Sequence, residues 1–226
     1  NGSGGSFDST GALGDSGLAY RMIVDHEDED YWRNFGVHRE TLIAPSLAWY
    51  GDSTHVLLAY EHREFLSPFD RGTAINPKTN HPLDIPATRR LDEPFNNMEG
   101  RSDLYRLEVD HDLSDDWTAH FGYSWNRETY DASQVRVTAV NPQTGTLTRK
   151  MDGTRGAITT DRFATVSVQG NVEAAGMRHD LVFGMDDEYR KIYRADLIRQ
   201  NSKYPFSYLD PVYGREEAGT TVSATD

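Results

Sequence analysis

Alternation of apolar and polar positions is the strongest pattern along this chain. In WTAHFGYSWN, Trp117, Ala119, Phe121, Tyr123 and Trp125 fall in one register, and Thr118, His120, Gly122, Ser124 and Asn126 fall in the other. A period of two puts these sets on opposite faces of a β-strand. LAYRMIVDHE repeats the rhythm, with Leu18, Tyr20, Met22 and Val24 against Arg21 and Asp25. LYRLEVDHDL sets Tyr105, Leu107 and Val109 against Arg106, Glu108 and Asp110. HVLLAYEHRE and HDLVFGMDDEY behave in the same way, and RFATVSVQGNV does so more weakly. The chain reads as all-β, an antiparallel up-and-down meander of about eight strands.

The connections come in two lengths. Gly14-Asp15-Ser16, Gly51-Asp52-Ser53, Ser114-Asp115-Asp116 and Glu173-Ala174-Ala175-Gly176 are very short polar turns. Residues 65–100, rich in Pro, Asn, Asp and Gly, show no strand or helix period. Residues 130–161 are a second long, irregular stretch with room for hairpin extensions, and a third begins near Gln200. Compact soluble domains seldom hold such loops. Short turns at one end and long loops at the other are the layout of an outer-membrane barrel. The runs 18–31 and 181–195 suit a tilted crossing of about 9–11 residues. One register then meets lipid and the other the lumen, with Tyr20, Trp49, Tyr50, Trp117 and Trp125 as interfacial aromatics. A soluble β-sandwich binding module is the alternative, because its strands alternate too.

Composition narrows the picture. With a net charge of -13 over 226 residues, the chain lacks the basic surface that nucleic acid requires. It has no cysteine, which removes disulfides, zinc–thiolate sites and thiol catalysis. No run approaches the roughly 18 apolar residues of a membrane helix. LIAPSLAWY, the longest, holds a proline. NGSGGSFDST has neither the basic region nor the apolar core of an export signal. The first candidate strand, SFDSTGAL, starts almost at residue 1, and GTTVSATD lacks a terminal aromatic strand. The whole chain, 1–226, therefore reads as an internal piece of a barrel domain.

Two motifs suggest chemistry and are better read as structure. Gly14-Asp15-Ser16-Gly17 looks like a serine-protease nucleophile. Proteases of the chymotrypsin type order their triad His, Asp, Ser, and no histidine precedes Ser16. Asp52-Ser53-Thr54-His55 has the Asp-x-x-His spacing of an esterase but overlaps the second Gly-Asp-Ser triplet. His120 falls in the lumen register with no identifiable buried aspartate beside it. No catalytic residue is assigned and no enzyme is expected. Gly17 instead suits the positive-φ position of a tight hairpin. HEDED, at His26 to Asp30, reads either as a cation site or as a solvated outer strand end facing lipopolysaccharide across bridging ions. The eight histidines do not cluster, so no metal site is assigned.

GALGDSGLAYRMI, YWRNFG, IAPSLAWYGD, PFDRGTAINP and IPATRRLDEPFN follow one another in order across residues 6–214. Their succession resembles the barrel of TonB-dependent siderophore receptors, most closely the ferric-hydroxamate, ferrichrome-type subgroup. The resemblance implies a barrel of about 22 strands, filled by an N-terminal plug, in the bacterial outer membrane. It implies a ferric siderophore as ligand, no cofactor, and import driven by the TonB complex through the plug. Outer-membrane lipid and lipopolysaccharide would surround the wall. The chain would correspond roughly to the second through ninth strands, without plug, TonB box or C-terminal strands. A passive porin or adhesin-like barrel is the second reading.

The resemblance also points to ligand contacts. In FLSPFDRG, Phe69 and Arg71 fall where ferrichrome receptors place aromatic contacts, so Arg71 departs from the pattern. Phe65, Arg63 and Tyr130 belong to the same rim. Aromatic faces suit the apolar parts of a chelate, and a guanidinium supplies several donors to anionic oxygens. Asp70-Arg71-Gly72 also reads as a turn closed by a local ion pair. The siderophore itself stays open.

Overall fold

The computed structural model describes residues 1–225. In chain order the strands are β1 (Gly2–Ala12), β2 (Leu18–Asp30), β3 (Val37–Tyr50), β4 (Thr54–Pro68), β5 (Ile75–Asn76), β6 (His81–Pro82) and β7 (Asn97–Ser114). They continue with β8 (Trp117–Asn141), β9 (Thr146–Ala174), β10 (Met177–Tyr193), β11 (Asp196–Asn201), β12 (Phe206–Ser207) and β13 (Val222–Thr225). Among the described residues there is no α-helix. Eight strands are long, as the alternation implied, and they form one antiparallel meander in the order β1-β2-β3-β4-β7-β8-β9, with β10 against β9.

Register carries the sequence pattern across the whole sheet. Tyr20, Leu47, Leu58, Leu107, Tyr123 and Ala164 are successive cross-strand partners and make one row on one face. One position along, Arg21, Ser46, Ala59, Arg106 and Ser124 make the adjoining row on the other face. Leu47, Leu58, Phe121, Tyr123, Phe183 and Met185 leave large apolar area uncovered. The only other sheet among the described residues is the β5–β6 hairpin, so nothing plays the second layer of a sandwich. An apolar face without a protein partner is what a barrel wall presents to lipid.

Aromatic side chains collect at two levels. Trp49, Tyr50 and Trp117 sit beside the short turns. Further up the strands, Tyr60, Tyr105 and Trp125 form a row, with ring centroids 4.8 and 5.5 Å apart. Trp125 thus lies mid-strand rather than at a strand end, because β8 continues to Asn141.

The four short connections are hairpin turns on one edge of the sheet. Gly17 has φ +74°, and a Cβ there would collide with the carbonyl of Tyr50 in the neighbouring hairpin. Ser16 Oγ donates to the Leu13 carbonyl at 2.7 Å, so its hydroxyl serves the turn. His120 Nδ1 lies 2.7 Å from Asp110, a half-exposed carboxylate on the facing strand, rather than from a nucleophile.

The long excursions differ from their sequence reading. Residues 130–161 are a regular ladder in which β8 and β9 stay paired up to Asn141↔Thr146. Shifts between Tyr130 and Ala132 and between Val137 and Ala139 break the alternation there. β9 serves two sets of neighbours, β10 along residues 158–174 and then β11 and β12 nearer its start. Residues 69–96 remain mostly irregular; residues 77–82 are exposed, whereas Leu83 and the run 90–93 are buried. The main buried apolar cluster, Leu83, Leu91, Leu147, Phe206 and Tyr208, joins this loop to the β8–β9 hairpin and to the segment after β11.

Candidate functional site

The loop end is held together by charges that water does not reach. Arg90 is completely buried and grips Asp92 through two hydrogen bonds of 2.8 and 2.6 Å. Its third donor reaches the Phe35 carbonyl, and the guanidinium lies 4.5 Å from the centre of the Phe35 ring. Arg149, on β9, donates to Glu93 at 2.6 Å and lies 3.8 Å from the Phe206 ring centre. Glu93 also accepts from the Gly214 amide at 2.7 Å. Asn96 extends the sheet with its side chain, accepting from the Val135 amide at 2.8 Å and donating to the Val135 carbonyl at 3.2 Å. The segment RRLDEPFN is therefore a clasp between the 31–36 loop, the β8–β9 hairpin and residues 206–214.

Burial pushes the Asp92 carboxyl up to about 6, against the pull of Arg90. Asp70 moves the other way. Burial alone would raise it, but the Gly72 amide and Arg33 more than offset that and hold it below the usual carboxylate range.

Phe69 and Arg71 lie side by side. The Arg71 guanidinium lies 5.3 Å from the Phe69 ring centre and donates to Gln134 across the cleft. The local ion pair expected within Asp70-Arg71-Gly72 does not form. Asp70 pairs instead with Arg33 at 2.9 Å, while its other oxygen closes the turn by accepting from the Gly72 amide at 2.7 Å. Arg71 is consequently exposed and, among the described residues, has no carboxylate partner. Between residues 70–77 and residues 135–140 lies an open cleft of about 480 Å³, with Arg71 and Arg136 in its walls.

Arg63, Phe65 and Tyr130 form a second group. Phe65, Gly100 and Tyr130 are successive cross-strand partners, so Gly100 is the floor between the two rings. A Cβ at Gly100 would lie 2.7 Å from Tyr130 and 3.0 Å from the Phe65 ring. Phe65 is only 7% exposed, and Arg63 lies 5.0 Å from its ring centre while bonding Glu40 at 2.6 Å. Phe65 is thus a support of the wall, whereas Tyr130 stays half-buried. HEDED lies at the loop end of β2. There His26 bonds Thr41 and Asp28 bonds Arg39 at 2.8 Å, and no three metal-ligating side chains converge among the described residues.

Gln134, Arg136 and the Arg90–Asp92–Asn96 clasp were not anticipated. Gln134 takes Arg71 from 63 residues away and Asn96 takes Val135 from 39, and charged residues in a Pro- and Asn-rich stretch look solvated even where, as for Arg90 and Asp92, the partner is near. IPATRRLDEPFN carries a signal only through the resemblance.

No family model matches the chain. The metal-pseudopaline receptor CntO of Pseudomonas aeruginosa is 25% identical over 204 residues, covering 88% of this chain and 28% of the relative. The chain thus spans little more than a quarter of that curated protein. The closed form of the ferric-catecholate import receptor Fiu from E. coli K12 superposes with a TM-score of 0.81 at 17% identity, over 98% of this chain and 34% of the receptor. The ferripyoverdine receptor of the outer membrane of Pseudomonas aeruginosa gives a TM-score of 0.74 at 13% identity, over 97% and 31% of the two chains. These relatives are named as receptors, not enzymes. The fold is that of a segment of their β-barrel wall, with its loops.

Proposed function

We propose that the chain is part of the barrel wall and outer vestibule of an outer-membrane receptor that binds a metal–siderophore complex and imports it with energy from the TonB complex. One observation carries the reading. A sheet with an uncovered apolar face is joined by tight turns at one end and carries an ion-paired, packed loop assembly at the other. A passive pore does not need a loop end clasped by buried charges, whereas a receptor needs a vestibule of fixed shape. The receptor names of the relatives, for ferric catecholate, ferripyoverdine and metal–pseudopaline, support the ligand class.

None of those three names mentions a hydroxamate or ferrichrome, so the ferrichrome-type assignment rests on the sequence resemblance alone. Phe69 and Arg71 are the proposed ligand contacts, and Tyr130, in the second group with Phe65, is a further one. Arg63 and Phe65 shape the wall that holds them. The test is competition binding to the full-length receptor with Phe69→Ala and Arg71→Ala, using ferric hydroxamate, catecholate and carboxylate chelates. A loss of roughly tenfold in affinity for one class is expected, the worth of one charge-assisted or aromatic contact. Unchanged affinity in both variants for every class that binds would remove these residues from the site.

A further inference from the structure

Proline has no N–H to give a β-ladder and is ordinarily confined to edge strands, strand starts and bulges. Pro45 stands well inside β3, which has β2 on one side and β4 on the other. The β3–β4 ladder is interrupted there. Ile43↔His62 and Ser46↔Ala59 are paired, but Ala44 and Pro45 take no partner on β4, where the register sets Glu61 and Tyr60 opposite them. The ladders on either side pass the same level intact. Met22↔Pro45 joins β2 to β3, and Tyr60↔Tyr105 joins β4 to β7. The same row is paired onward to Ser9 on β1 and to Tyr189 on β10. Tyr60 is held to β7 a second time by its hydroxyl, which donates to Asp103 at 2.7 Å.

Side chains do not close the gap. Ala44, Ser46 and Ala59 are small, and a cavity lies on each face of the wall beside them. One, of about 380 Å³, is bounded by Leu47, Leu58 and Leu107 on the apolar face. The other, of about 350 Å³, is bounded by Arg21, Glu61 and Arg106 on the opposite face. Pro45, Ser46, Ala59 and Tyr60 border both. A backbone group without a partner is costly where no water reaches it, so sheets that span a membrane keep closed ladders. Pro45 has nothing to donate to the Tyr60 carbonyl across from it. We propose that this line is a compliant seam in the barrel wall, where β3 and β4 part and rejoin so that the lumen widens around a passing ligand. The seam follows from the ladder, and its use in passage rests on the receptor reading.

The test is hydrogen–deuterium exchange on the full-length protein in lipid nanodiscs. Residues 58–62, along the seam, should exchange about tenfold or more faster than residues 103–107, which face them across an unbroken ladder. Pro45→Val supplies the missing N–H. It should slow residues 58–62 by about tenfold, the worth of one net hydrogen bond, with residues 103–107 within about twofold of native. Pro45→Ala supplies the same donor without new bulk in the outer cavity and should act in the same direction. Equal exchange of the two segments in the native protein overturns the seam, as does unchanged exchange in both variants. The native comparison decides even where a variant fails to fold. Passage is scored separately in cells, as uptake of radiolabelled iron from a ferric hydroxamate, a ferric catecholate and ferric citrate. A variant with slowed exchange should take up the transported chelate about threefold or more slowly, with unchanged binding at the cell surface. Unchanged uptake overturns the role in passage. Native cells that take up none of the three overturn the receptor reading, while the exchange result still decides the seam.

Discussion

The two ends of this molecule solve opposite problems. The sheet leaves Leu47, Leu58 and Phe183 uncovered and keeps charges such as Arg21 and Asp8 paired on its other face. The loop end buries Arg90, Glu93 and Arg149 and surrounds them with Leu91, Phe206 and Tyr208. A barrel wall needs no core, because lipid takes one side and the lumen the other. Loops that rise into water must supply their own core, and here it is built from ion pairs clasping distant segments. Rigidity at the vestibule thus comes from the loops rather than from the sheet below.

The largest effect should come from breaking the clasp. Arg149→Ala leaves Glu93 buried with only the Gly214 amide as partner. Removing one member of a buried ion pair costs about 3–5 kcal/mol. Limited proteolysis of the full-length protein should show cleavage within residues 69–96, while heat unfolding of the barrel is little changed. A matching fall in barrel stability would mean that the two regions are one cooperative unit.

On the wall, Leu58→Arg puts a charge on the uncovered face between Leu47 and Leu107. A cost of about 2–4 kcal/mol is expected in a bilayer if this position is near mid-depth. Folding into vesicles, followed by denaturant titration, measures it. No change would argue that this face does not meet lipid.

Gly100→Val tests the junction of the two regions. Its side chain would push Phe65 and Tyr130 apart, with an overpacking cost of about 1–3 kcal/mol. Chelate affinity should fall while loop proteolysis stays near native, and unchanged affinity would separate Tyr130 from the site.

The smallest expected effect is a pH dependence. The folded loop holds a proton on Asp92 up to about 6, above the ordinary value of 3.8. Between those values the folded state binds more protons than the unfolded state, so this group's contribution to loop stability falls as pH rises and is flat above. Asp92→Asn removes the titration. The difference in protease resistance between native and variant loops should therefore change between about pH 4 and 6 and level off beyond. A constant difference across that window would place the carboxyl in the ordinary range.

The wall was legible in the sequence because β2, β7 and β8 as far as Asn126 carry a period of two along most of their length. The β8–β9 extension was not, since its shifts near Tyr130 and Val137 reset the alternation and packed loops cover parts of both faces. Phe69 and Arg71 could be named from sequence, but Gln134, which receives Arg71, lies 63 residues away. A local Asp70–Arg71 pair is an equally natural reading of the turn, yet Asp70 pairs with Arg33. Local sequence favours the neighbour, whereas the fold brings Arg33 across from the next loop.

Opposite ends on opposite sides of the outer membrane are the most direct thing to measure. The chain has no cysteine, so single ones report cleanly when the full-length protein carries no other. Lys78→Cys lies in the long loop and Asp52→Cys in a short turn. With a membrane-impermeant maleimide, Lys78→Cys should label on intact cells, and Asp52→Cys only after the outer membrane is opened. Labelling of Asp52→Cys on intact cells, with Lys78→Cys protected, would contradict the assignment of the turns to the periplasm and the loops to the outside.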